Sequence, residues 1–323
     1  MKLPTIITSS VIRSTNKGES HGGVYVINLE TNKQKQVIDW DDETIDWSGR
    51  GKERGLRGIE FYDNKLYIAA SDKIFVYDKN FNMLNSFQNR YLKYCHEIFV
   101  EGSKMYITST GYDSILVFDL KIEKFIKGYC LRYGSILKYG KIRKAIQKLI
   151  YNLKPNMFIY DPTKNRGPKF NDQLHFNSVY VENDIIYCAS RRDNKLFKIK
   201  NDELFIYGKI PYLTHNAIPY RNGILFNDTA KNKISYINLK NEIINCFPII
   251  FYDENKLKNS DIPNDYARQA FVRGLCYKDN YIIVGSSPAT ISVYDITNNK
   301  KIKSINISID IRNSIHGLEI WPY

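Results

Sequence analysis

The stretch FVRGLCYKDNYIIVGSS, residues 271–287, holds two short strands around a turn. Apolar residues alternate on both sides of its Asp279-Asn280 pair, and Asp-Asn suits the left-handed positions of a tight hairpin. ISVYD at 291–295 follows as a third strand and KIKSINIS at 301–308 as a fourth. Working outward, the same succession recurs. First strands open RGIEFYDN at 57, HEIFVEG at 96, NSVYVEND at 177 and HNAIPYRN at 215. Second strands read LYIAAS, MYITST, IYCASR and ILFND. Third strands read GVYVIN, IFVYD, ILVFD, KLFKIK and ISYIN. Spacing is 39 residues from Arg57 to His96 and 38 from Asn177 to His215. Six repeats of four antiparallel strands predict an all-β, six-bladed β-propeller.

The two ends complete that reading. The N-terminal part supplies TIITSS, GVYVIN and KQKQVIDW but no first strand, and HGLEIWPY at 316–323 is a first strand with nothing after it. The last strand therefore closes the first blade and hides the sheet edges of the ring. This makes 1–323 a single domain rather than the two that its length suggests. Hydrophobic residues at 43% and charged residues at 25% are globular values. No apolar run approaches the ~20 residues of a membrane span, and the first residues lack a signal-peptide pattern. The five cysteines contain no CxxC pair, which points to a reducing, cytoplasmic setting.

Insertions break the rhythm in three places. His96 to Asn177 spans 81 residues, one unit too many, with the surplus at 128–170. Eight of the basic residues lie between Phe125 and Tyr160, with no acid among them. Ile142, Ile146, Leu149, Ile150 and Leu153 share one helical face, so 136–154 reads as a basic amphipathic helix. It is a candidate surface for a protein or acidic partner. The net charge of +13 argues little for nucleic acid, because the basic stretch carries no reading motif. The other inserts are polar residues 253–269 and SGRGKERG at 48–55, the latter matching no phosphate-loop pattern.

Function in such a ring sits where first strands face the channel. Ten residues before the equivalent positions Tyr67, Tyr106, Tyr187, Leu225 and Ile283 stand Arg57, His96, Asn177, His215 and Arg273. HGL matching RGL places His316 in the sixth position. His175, two residues before Asn177, shares its strand face. Four of the five histidines thus fall on one ring. Going round, His96, His175 and His215 occupy adjacent blades, while Arg273, His316 and Arg57 occupy the other three. Three imidazoles suit a transition metal (Fe, Zn or Mn) with open positions. Arg57 and Arg273, with Asn177, form a binding set for a small anionic substrate. His316 between two arginines is a general base with a depressed pKa, or a fourth ligand. Glu60, Glu97 and Glu319 are candidate partners for the ring nitrogens, or equally ordinary surface charges. His21 falls outside the register and reads as structural or solvent-facing.

The segments 176–190, 215–228 and 271–287 resemble the repeats of an uncharacterised bacterial six-bladed propeller family of NHL- and lactonase-like build. The resemblance implies the fold and carries no activity. Histidines ringed about a channel are also similar to those of the carotenoid oxygenases, which hold iron with four histidines. Those have seven blades and a longer chain, and their other motifs are missing here. Two functions stay open. One is a metal-dependent enzyme, a lyase, hydrolase or oxygenase, acting on a small anion. The other is a non-catalytic propeller that binds a protein or glycan through its loops and basic helix.

Overall fold

A computed structural model describes residues 2–16, 18–45, 55–133, 154–261 and 268–323. Six antiparallel sheets account for it. The first joins β25 (Asn313–Ile320), β1 (Thr5–Ile12), β2 (Gly23–Asn28) and β3 (Gln34–Asp39) in that order. The second runs β4 (Ile59–Tyr62), β5 (Lys65–Ala70), β6 (Lys73–Asp78) and β7 (Met83–Gln88). The third runs β8 (Ile98–Glu101), β9 (Lys104–Ser109), β10 (Ser114–Asp119), β11 (Lys124–Arg132) and β12 (Asn156–Tyr160).

The fourth holds β13 (Phe176–Glu182), β14 (Ile185–Ser190), β15 (Lys195–Lys200) and β16 (Glu203–Lys209). The fifth holds β17 (His215–Tyr220), β18 (Gly223–Asp228), β19 (Lys233–Asn238) and β20 (Ile243–Pro248). The sixth holds β21 (Arg273–Lys278), β22 (Tyr281–Ser286), β23 (Thr290–Asp295) and β24 (Lys300–Asn306). First strands meet in the cyclic order β25, β4, β8, β13, β17, β21 and back to β25. The expected six-bladed ring and its C-terminal closure are both present, with Ile6 opposite Ile320 and Ile12 opposite Asn313.

The core is divided. Six apolar clusters each lie between two neighbouring blades rather than in one centre. That explains the sequence pattern. Middle strands such as β9 and β18 are covered on both faces and read as near-continuous apolar runs. Outer strands such as β7 cover one side only and are mostly exposed. Each Ile, Leu or Phe fully buried at a blade interface contributes ~1.5–3 kcal/mol relative to exposure.

The inserted segment departs from expectation at its ends. Residues 128–132 continue β11, and 156–160 add β12, a fifth strand on the third blade, pairing Gly128 with Tyr160. The four-strand expectation fails there because the insert returns in extended form to an exposed outer edge. The helix expected at 136–154 falls mostly on 134–153, outside the described residues, as do 46–54 of the Gly- and Arg-rich loop and 262–267 of the polar insert. Among the described residues no helix is long and apolar enough to cross a membrane, and all five cysteines are free thiols.

Candidate functional site

The first strands carry a recurrent irregularity. Register shifts fall between Phe176 and Ser178, between His215 and Ile218, and between Arg273 and Leu275, each against the neighbouring second strand. A bulge of this kind places an extra residue in one strand and re-aims its side chains. Arg273 is followed by Gly274 at φ +73, where an added Cβ would sit 2.7 Å from the His316 carbonyl oxygen. Gly317 stands so close to Arg57 that its Cβ would overlap the Arg57 carbonyl oxygen. Three of the six ring residues thus precede a glycine (Arg57-Gly58, Arg273-Gly274, His316-Gly317), and these blades approach backbone to backbone. Ser9 Oγ binds this side together, donating to Arg57 O at 2.6 Å and accepting from Gly317 N at 2.8 Å.

All seven expected channel residues are buried: Arg57, His96, His175, Asn177, His215, Arg273 and His316. Each of the two arginines meets an imidazole on a neighbouring blade. Arg57 Nη1 lies 2.5 Å from His96 Nδ1 and 3.3 Å from its Nε2. Arg273 Nη1 lies 3.2 Å from His316 Nε2 and 3.4 Å from its Nδ1. Guanidinium has only donors, so the imidazole nitrogen that receives each one must carry a lone pair.

His175 arrives by a different route from the one its spacing suggested. It precedes β13 with φ +63, so strict alternation does not set its direction. The Asp113 carboxylate accepts the N–H groups of Gln173, Leu174 and His175 at 2.8, 2.9 and 3.0 Å and holds this turn. Burial pushes the Asp113 carboxyl up to about 6 despite those donors. His175 Nδ1 donates to Asp172 at 2.9 Å, and Arg192 binds the same carboxylate at 3.3 Å. The His175 ring then faces His96, with centroids 5.2 Å apart.

His215 is the most telling of the set. Its Nδ1 lies 3.1 Å from the Leu213 carbonyl and 2.9 Å from Thr229 Oγ1. A carbonyl only accepts, so Nδ1 carries the hydrogen and Nε2 the lone pair. That Nε2 is buried and has no hydrogen-bond partner among the described residues. Burial, then the charges of Arg273 and Arg191, hold the His215 pKa well below 6.5. Burial, then Arg273 and Arg57, do the same to His316. Asn177 donates through Nδ2 to Thr214 O at 3.0 Å, leaving its buried Oδ1 without a partner among the described residues.

Among the described residues no three His, Cys, Asp or Glu side chains form a group able to hold a metal ion. The glutamates depart from expectation. Among the described residues Glu60, Glu97 and Glu319 pair with no ring nitrogen; instead they crowd one another. Burial first, and then the charge of Glu319, push Glu97 up to about 8; burial carries Glu319 to about 7. Glu60 is raised by the same two causes. Glu97 accepts from Asn216 Nδ2 at 2.7 Å and, with Glu319, lines a channel pocket of about 250 Å³. His21 is structural as expected, buried with its Nδ1 2.7 Å from Thr15 Oγ1 and its ring edge-on to Trp40.

Sequence reasoning missed Arg13, Arg268 and Phe271. The guanidinium carbons of Arg273, Arg13 and Arg268 lie 4.4, 4.5 and 4.7 Å from the centroid of the Phe271 ring. Phe271 also meets His215 edge-on at 6.0 Å between centroids.

Comparison with solved structures agrees with the architecture. A protein of unknown function from Bacteroides caccae superposes with a TM-score of 0.56 at 11% identity, covering 98% of each chain. The fold is that of a propeller. A catalytically inactive virginiamycin B lyase from Staphylococcus aureus with quinupristin gives a TM-score of 0.45 at 13% identity, covering 79% of this chain and 70% of that one. A streptogramin B lyase gives 0.41 at 14%, covering 74% and 68%. At such distances neither lyase bears on activity here. No family model matches the chain, and no curated protein matches its sequence.

Proposed function

We propose that the channel binds a small anionic molecule and that the protein is an enzyme using neutral imidazole as the proton acceptor. The observation that carries this reading is the pairing of Arg273 with His316 beside His215, whose Nε2 lone pair is buried and bare. Arginine forks offer two donors to a carboxylate or phosphate. Burial first, and then the same positive charges, hold the His316 and His215 pKa values well below 6.5 and so favour the neutral imidazoles. An anion that draws Arg57 and Arg273 onto itself, with Asn177 as a further polar contact, would free the His316 lone pair from Arg273 and present its neighbouring C–H or a water to that nitrogen. Proton abstraction of this kind serves an elimination or a hydrolysis. Arg57 and Arg273 would also stabilise the negative charge that develops.

The test is direct. Small carboxylates with a C–H beside the carboxyl are incubated with untagged protein in deuterated water and followed by NMR. Binding that Arg57→Gln and Arg273→Gln both weaken, with deuterium exchange that His316→Gln abolishes, supports the reading. Failure of every carboxylate and of inorganic phosphate to bind at millimolar concentration sinks it.

A transition metal (Fe, Zn or Mn) held by His96, His175 and His215 is the second reading. The bare Nε2 of His215 and the 5.2 Å approach of the His96 and His175 rings favour it. It requires Arg57 to release His96, because one lone pair cannot serve a guanidinium and a cation together. Metal analysis of untagged protein decides: stoichiometric metal that His215→Ala removes supports it, and metal-free protein that takes up none on soaking refutes it. Partner binding through 136–154 has no described geometry to support it, so the channel carries the proposal.

A further inference from the structure

Further along the first strands the channel holds a second layer. Opposite Tyr67, Tyr106, Tyr187, Leu225 and Ile283 stand Glu60, Phe99, Tyr180, Ile218 and Cys276. Glu319 completes the layer from β25, following His316 at the interval by which Glu60 follows Arg57. Glu319 and Glu60 thus sit on adjacent blades, and Glu97 joins them from the next. Aromatic residues continue the circuit. The Phe99 and Tyr180 ring centroids are 4.7 Å apart, and Tyr180 Oη lies 3.5 Å from Tyr277 Oη. Glu97, Glu319, Asn216, Phe99, Tyr180 and Tyr277 all line the pocket of about 250 Å³. Tyr277 is 37% exposed, so the pocket opens to solvent.

Two independent observations call for a donor there. None of Glu60, Glu97 and Glu319 has an ion-pair partner among the described residues. Arg57 lowers the Glu97 pKa by its charge, but it ranks behind burial, Glu319, the Ile98 N–H and Asn216 among the causes. The second observation is Asn227, which is fully buried. Its Nδ2 donates to Asn216 Oδ1 at 3.3 Å and to the Gly274 carbonyl at 3.1 Å, while its Oδ1 has no partner among the described residues. Asn216 in turn donates to Glu97 at 2.7 Å, which ties this bare acceptor to the pocket wall. Ionised carboxylates and amide oxygens only accept, and an ammonium group is their complement, with three N–H donors, one positive charge and no acceptor. A cation between crowded carboxylates offsets their repulsion. The aromatic rings attract a cation through their π faces and pack its apolar body. A metal ion fits less well, since no group of three ligating side chains gathers among the described residues.

We infer that this pocket binds a primary ammonium group carried on a small apolar body, held by Glu97 and Glu319 against Phe99, Tyr180 and Tyr277. The site goes beyond the anion-binding function proposed above and does not depend on it, because an amine with no acid group suffices to fill it.

Calorimetric titration of the untagged full chain compares three probes. Benzylamine carries the ammonium, benzyl alcohol is its neutral counterpart, and benzyltrimethylammonium keeps the charge without N–H donors. Benzylamine should bind about tenfold or more tightly than either, the scale of one charge-assisted hydrogen bond. Glu97→Gln and Glu319→Gln keep the shape and remove the charge, and each should pull the preference over the alcohol towards one. Thermal midpoints accompany both, and either variant serves if the other fails to fold. No benzylamine binding at millimolar concentration overturns the inference. So does equal binding of the alcohol or of the quaternary ion, or a preference that neither substitution changes. No probe carries an acid group, so failure here leaves the anion site standing, and failure of the carboxylates and phosphate leaves this one.

Discussion

Arg273 and His316 face each other across the seam between the sixth and first blades, 3.2 Å apart at Nη1 and Nε2. A guanidinium beside a buried imidazole keeps that imidazole neutral. Replacing Arg273 with Gln removes the charge, and the His316 pKa should rise towards 6.5. NMR titration of the histidine ring protons checks this; an unchanged His316 resonance profile would contradict the pairing.

The channel histidines and glutamates bend the pH dependence of stability in opposite directions. His215 and His316 have folded pKa values below 6.5, so the unfolded chain binds more protons and stability falls as pH drops through 6.5. Glu97 and Glu319 are raised to about 8 and about 7, so the folded chain binds more protons and stability is lost as pH rises from 4.5 through those values. Between pH 6.5 and 8 only the glutamates act within this set. Glu97→Gln should flatten that limb and raise stability at its upper end by about 1 kcal/mol or more, given ~1.4 kcal/mol per unit of pKa shift. His316→Gln should flatten the acid limb. Urea midpoints across this range measure both.

Asp113 holds the turn that delivers His175. Asp113→Ala strands three buried N–H donors and should cost about 3 kcal/mol or more, read as a lowered urea midpoint. The His96–His175 ring contact should go with it. A contact that survives, seen as an unchanged ring-to-ring nuclear Overhauser effect, would show that another element sets His175.

Gly317→Ala puts a methyl group against the Arg57 carbonyl where two first strands touch. Backbone must move, and the expected loss is about 3 kcal/mol or more. Gly102, in the hairpin after β8, is the control. Its φ is +59 with nothing within 4 Å of an added Cβ, so Gly102→Ala should cost only the ~1–2 kcal/mol of a left-handed residue.

The repeats made the ring legible because a propeller blade is a local object: four strands, three turns, a fixed order. Register alone then placed Arg57, His96, Asn177, His215, Arg273 and His316 on one buried ring. What register could not show was side-chain pairing, since Arg57 reaches across a blade boundary to His96. Arg13 and Arg268 lie outside the aligned position, one at the end of a second strand and one in an insert. The nearest signal was Phe271 in FVRGL, an aromatic two residues before a ring arginine. Glu60, Glu97 and Glu319 are neither ring-nitrogen partners nor surface charges, because burial governs them and register does not report burial. The fifth strand β12 was hidden by a composition that reads as helix just before it.

The closing strand has a consequence for the order of folding. Thr5–Ile12 cannot complete its sheet until Asn313–Ile320 has left the ribosome. During synthesis β1 therefore waits with an open edge while five later blades assemble beside it. The blade made first is finished last, and its closure is the most non-local step in the chain, with a correspondingly slow search. Joining the two ends by a short linker and opening the ring at the connection from β7 to β8, between the second and third blades, would turn that last step into a local one. Such a permutant should refold faster to the same channel, with the nascent-chain exposure of β1 removed.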